Sequence, residues 1–158
     1  MRSSIGAAVA LGFSLFVSTP GRAADPNAGF GLVRFDGVSV GAAERGDISR
    51  LTEAGILATE GSRSVVLNLV GELKGKAERD GEVGVILVPD TPPFEAWFRS
   101  RRWLPVSQEL VAKVSAGDSS YFMAKHLRFD VGFNKYHVVL FNTTGSAVVV
   151  SVFAYGSR

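Results

Sequence analysis

Between Phe94 and Leu104 the chain reads Phe-Glu-Ala-Trp-Phe-Arg-Ser-Arg-Arg-Trp-Leu. This stretch holds both tryptophans, Trp97 and Trp103, and three arginines, Arg99, Arg101 and Arg102. Indole rings supply stacking faces, and guanidinium groups supply planar forks that match carboxylate, phosphate or sulfate. Sugars, anionic glycans and membrane head groups are recognised by that combination. These five residues are the candidate ligand-binding set. A competing reading folds the indoles into the core and leaves the arginines solvated, because large aromatics are mostly buried.

Other chemistry-bearing residues form no pattern. His126 and Asp130 are four apart on an expected strand, so they share a face but stand about 13 Å apart along it. His137 reaches either of them only through a strand pairing that sequence does not specify. Zinc needs three or four ligands, and no spacing here supplies them, so no metal or cofactor is expected. No Gly-x-Ser-x-Gly elbow occurs, and the glycines near Gly71 lack a phosphate-loop pattern. Glu72, Glu82 and Glu95 are nominal acids for glycoside cleavage, but nothing groups them. No catalytic residue is assigned. Two short matches carry little weight: Arg45-Gly46-Asp47, an integrin-type tripeptide, and Asn142-Thr143-Thr144, a glycosylation sequon at an expected turn.

The elements that must position these residues begin after an N-terminus of different character. Arg2 precedes an apolar run from Ile5 to Val17; Pro20 and Gly21 end it, and Gly21-Arg22-Ala23 offers small residues where a signal peptidase reads. Residues 1–23 read as a secretory signal peptide and 24–31 as a flexible leader, with one domain over 32–158. The apolar run is short for a membrane span. The chain has 17 Lys+Arg against 15 Asp+Glu. Arg2 and Arg22 leave with the signal, so the mature chain is formally neutral, which argues against nucleic acid as a partner. There is no cysteine, hence neither a disulfide nor a lipidated N-terminal cysteine. The expected location is periplasmic or extracellular.

Within the domain, Leu32–Val40 reads as a strand bent at Gly37. Gly41–Ser62 stays open between a short helix face and a broken strand. Arg63–Lys74 alternates, with Val65, Leu67, Leu69 and Leu73 on one face, and Glu82–Val88 is expected to return as its hairpin partner. Prolines break the pattern from Pro89 to Pro105, leaving room for one helical turn over Phe94–Arg99. Glu109–Ser115 and Tyr121–Val131 follow as strands. Lys135–Asn142 is apolar on both faces, and Ala147–Tyr155 is dense in β-branched and aromatic residues. These last two are expected to form a hairpin around Gly145.

About seven to nine short strands with turns between them predict an all-β fold, an antiparallel β-sandwich or jelly roll. The closing run, Lys135-Tyr-His-Val-Val-Leu-Phe-Asn, then a turn and Val-Val-Val-Ser-Val, resembles the last hairpin of secreted β-sandwich accessory domains such as the bacterial pre-peptidase C-terminal and GOLD domains. That resemblance implies a non-catalytic, extracytoplasmic accessory module. The functional expectation is an exported binding or interaction module for a glycan, an anionic surface component or a partner protein. Two alternatives stand beside it: a glycan-active enzyme of jelly-roll type, and a structural subunit of an envelope assembly.

Overall fold

The computed structural model describes residues 32–43, 47, 50–100 and 106–158. The signal-peptide and leader expectations therefore fall outside the described residues, as do Arg45 and Gly46 of the tripeptide. Nine strands and one helix follow in order: β1 (Leu32–Val40), β2 (Thr52–Ala58), β3 (Ser64–Leu73), β4 (Gly81–Pro89), α1 (Pro92–Arg99), β5 (Gln108–Val114), β6 (Tyr121–Met123), β7 (Leu127–Asp130), β8 (Lys135–Asn142) and β9 (Val148–Ser157). The open segment Gly41–Ser62 thus supplies a strand, β2. No helix among the described residues is long and apolar enough to cross a membrane.

The strands make two antiparallel sheets. The first runs β1-β9-β3, with β6 and β7 both on the far side of β3; the second runs β2-β8-β4-β5. This is the expected all-β sandwich. Side chains alternate between faces because the strand period is two. Val65, Leu67, Leu69 and Leu73 of β3 meet Val83, Val85 and Leu87 of β4 and Val138 and Leu140 of β8 in one core. Val66, Asn68, Val70 and Glu72 face outward, half-buried.

Both expected hairpins are corrected by the pairing. β8 lies in the second sheet and β9 in the first, and β3 and β4 are separated likewise. Residues 143–147 and 74–80 are arches that carry the chain across the core, not turns within a sheet. The two arches brace each other: Lys74 N–H donates to the Ala147 carbonyl, and the Ser146 hydroxyl donates to that of Lys76. Asn142 explains why the chain arches. Its side chain is fully buried; its amide nitrogen donates to the Val40 and Ser146 carbonyls, and its oxygen accepts from the Thr144 N–H and hydroxyl. A buried amide with four partners fixes a wide turn. It also leaves no nitrogen accessible for a glycan, which removes the sequon reading.

Tyr121–Val131 is likewise corrected from one strand to two. Met123 pairs with Val70 and Leu127 with Leu67, so three residues on this strand face two on β3. The extra residue is a bulge, and it reverses the alternation. Tyr121 and Met123 therefore point to solvent, 79% and 72% exposed, while Phe129 is buried. The bend expected at Gly37 is present: φ is +64° there, and the β1–β9 register shifts between Phe35 and Val38.

Candidate functional site

The segment singled out by its tryptophans and arginines opens with helix α1. Pro92 and Pro93 start it, since proline fixes φ and lacks the N–H that a first turn leaves unpaired. Its apolar side inserts Phe98, fully buried, onto the outer face of the second sheet against Leu51, Ile86, Val88, Val139 and Phe141. This explains why β8 is apolar on both sides: one face lines the sandwich core and the other lies under α1. Of the five expected site residues, Trp97 and Arg99 belong to α1. Arg101, Arg102 and Trp103 fall outside the described residues, as does the Trp97 side chain.

Arg99 does not stand free for a ligand. Its guanidinium meets a Glu53 carboxylate oxygen at 2.8 Å and a Glu95 oxygen at 3.6 Å, one helical turn back. Glu53 comes from β2, where a bulge between Glu53 and Gly55 shifts the register. The other Glu53 oxygen lies 2.7 Å from Nδ1 of His137 on β8. Burial pushes the Glu53 carboxyl up. The hydrogen bonds from His137 and Arg99, with the Arg99 charge, outweigh it and hold the group below its ordinary value of 4.5. Glu53 is therefore an ionised acceptor, and the hydrogen between the two groups rides on His137 Nδ1.

The His137 ring is 1% exposed and packs against Phe98, with centroids 5.3 Å apart. Its second nitrogen, Nε2, has no hydrogen-bond partner among the described residues. Asp90, just past the end of β4, offers Oδ1 at 3.6 Å from it, beyond hydrogen-bonding reach. Glu95 completes the group: one ligand atom each from Asp90, Glu95 and His137 lie within 4.8 Å of one another. What residue spacing could not supply, topology does. β8 runs beside β4, so His137 comes next to the chain that leaves β4 and enters α1. Sequence gave no sign of this beyond one histidine on an otherwise apolar strand. His126, by contrast, is exposed at the break between β6 and β7.

A second feature lies on the outer face of the first sheet, which no other described residue covers. Val70, Glu72, Tyr121, Met123, Val149 and Ser151 border a mostly apolar groove of about 360 Å³. The acids named for glycoside cleavage remain apart in the fold. Glu72 borders this groove, Glu95 is on α1, and Glu82 lines a separate hollow with Asp80 and Lys113.

No protein-family model matches the chain, and no curated protein matches it. Among solved structures it is similar to a subunit described under the words "Bacillus endospore appendages form a novel family of disulfide-linked pili". The identity there is 15%, over 89% of this chain and 100% of that one, with a TM-score of 0.32. It is also similar to a chain of the mud crab tombus-like virus, at 10% identity over 99% and 94%, with a TM-score of 0.31. No functional argument rests on likeness at these values.

Proposed function

We propose that the chain is an exported, non-enzymatic β-sandwich module. On this reading it binds an anionic surface component, glycan or lipid headgroup, beside α1 on the outer face of the second sheet. The observation that carries this reading is the Arg99–Glu53–His137 chain of contacts. It ties α1 to two strands of the second sheet and so fixes the start of the Trp97–Trp103 segment on a rigid support. Arg99 is consumed in that tie, so Arg101 and Arg102 supply the charge and the two indoles the stacking surface. The reading extends to this chain the accessory-module character that its closing strands suggest. It is supported against a glycan-active enzyme by the separation of Glu72, Glu82 and Glu95. The test is tryptophan emission of the purified protein titrated with acidic oligosaccharides, anionic vesicles and zwitterionic vesicles. A saturating shift with one anionic class, lost in the Arg101→Ser/Arg102→Ser protein, is expected. Emission unchanged by every addition overturns the proposal.

One observation favours a second reading, a subunit of an assembly. Tyr121 and Met123 project from the outer face of the first sheet beside an apolar groove, which would seat an apolar side chain of a neighbouring subunit. Edge-to-edge pairing is disfavoured at three edges, since β1 and β2 are bulged and the β6–β7 edge is broken, whereas β5 is a regular edge. Concentration-dependent sedimentation abolished by Tyr121→Ser/Met123→Ser would favour this reading. A monomer at all concentrations would remove it.

A further inference from the structure

We infer that His137, Asp90 and Glu95 form a binding site for a divalent transition-metal ion of the zinc class. Four features of the cluster carry this. A buried histidine in a core ordinarily satisfies both ring nitrogens, yet here Nδ1 is bonded to Glu53 and Nε2 has no hydrogen-bond partner among the described residues, in a side chain that is 1% exposed. That nitrogen and Asp90 Oδ1 are 3.6 Å apart. Two ligands each about 2.0–2.1 Å from one tetrahedral ion stand roughly 3.3 Å apart, so the pair is spaced for a shared ion and not for a hydrogen bond. Glu95 supplies a third oxygen within 4.8 Å. Its side chain is 45% exposed and its contact with Arg99 is long, at 3.6 Å, so it can rotate onto an ion.

The surroundings fit the same ligand. A histidine that binds metal commonly donates its other ring N–H to a carboxylate, which fixes the tautomer and raises the basicity of the binding nitrogen. Glu53 does this for His137 and is itself held by Arg99. Among the described residues the cluster holds three carboxylates, Glu53, Asp90 and Glu95, and one guanidinium, Arg99, a balance that a cation would neutralise. The imidazole ligand selects zinc-like ions over calcium or magnesium, which prefer all-oxygen sites. Asp90 and Glu95 are partly exposed, which gives an entry path and leaves a coordination position toward solvent.

The site goes beyond the proposed function and does not depend on the tryptophan segment binding anything. The experiment is isothermal titration of Zn²⁺ into purified, chelator-treated protein carrying no histidine tag, with Co²⁺ absorption as a second readout. One ion per chain is expected, with a tetrahedral-type Co²⁺ spectrum. Asp90→Asn/Glu95→Gln should abolish stoichiometric uptake, and Glu53→Gln should weaken it about 10- to 100-fold. His126→Gln should leave it unchanged. His137→Ala removes a fully buried ring and can unfold the protein, so the partly exposed carboxylates carry the decision, with circular dichroism confirming their fold. Absence of uptake by the wild type at about 100 μM free Zn²⁺, well above ordinary zinc-site constants, overturns the inference. So does uptake that survives Asp90→Asn/Glu95→Gln, or that is lost with His126→Gln.

Discussion

Glu53 divides its carboxylate between two partners: one oxygen takes the His137 Nδ1 hydrogen at 2.7 Å, and the other takes the Arg99 guanidinium at 2.8 Å. One side chain thus joins strands β2 and β8 to helix α1. The folded Glu53 titrates below its ordinary value of 4.5. Stability from this group is therefore present above that value and is lost as pH falls through the depressed folded one. The thermal midpoint of the wild type should exceed that of Glu53→Gln by a constant margin from neutral pH down to about 5, then converge with it in more acid solution. Thermal unfolding of both proteins across that range checks this. A margin that widens in acid would contradict it.

Tyr136 lies in the core beside Phe129 and Phe133, and its hydroxyl accepts the backbone N–H groups of Gly132 and Phe133, both at 3.2 Å. It fixes the turn that feeds β8. Replacement by phenylalanine keeps the ring and removes the acceptor of two partly solvent-accessible donors. We expect a loss of about 0.5–1.5 kcal/mol in urea unfolding, with an unchanged m-value.

Gly84 is a position of close approach. A β-carbon there would stand 2.4 Å from the Phe141 ring and 2.9 Å from the Leu110 carbonyl oxygen. Phe141 lies over β4 only because that strand has no side chain at Gly84. Gly84→Ala should cost about 1–3 kcal/mol through displacement of the ring. Gly41→Ala, which meets nothing within 4 Å, should be close to neutral. Denaturant midpoints of the two variants make the comparison.

Asn142 closes the arch between the sheets with four hydrogen bonds, all made inside the protein. Asn142→Ala leaves several buried groups unpaired and should cost about 3 kcal/mol or more. The folded protein should also gain no mass when exposed to a glycosylating system, despite its sequon. Intact-mass measurement reads this directly.

Local pattern was legible in the sequence and pairing was not. The alternation of Val65, Leu67, Leu69 and Leu73 identified β3, and the doubled apolarity of Lys135–Asn142 identified a strand covered on both sides. The bend at Gly37 and a helical turn before Arg99 were also readable. The partners of these strands were not. An arch and a hairpin use the same turn residues, and the buried side chain of Asn142 decides between them only once folded. One extra residue near Ala124 reversed the faces of Tyr121 and Met123, which no periodicity count detects. The histidine cluster was hidden for a related reason. Its members come from β2, the end of β4, α1 and β8, and only the order β2-β8-β4 brings them together.

The state of the His137 ring tests the account most directly, because Glu53, Asp90 and Phe98 all meet at it. The measurement is long-range ¹H–¹⁵N correlation of the imidazole nitrogens near neutral pH, with His126→Gln used for assignment. The account predicts hydrogen on Nδ1 and a bare, pyridine-like Nε2 whose resonance shifts when one equivalent of Zn²⁺ is added. A hydrogen on Nε2, or an Nε2 resonance indifferent to zinc, would contradict it.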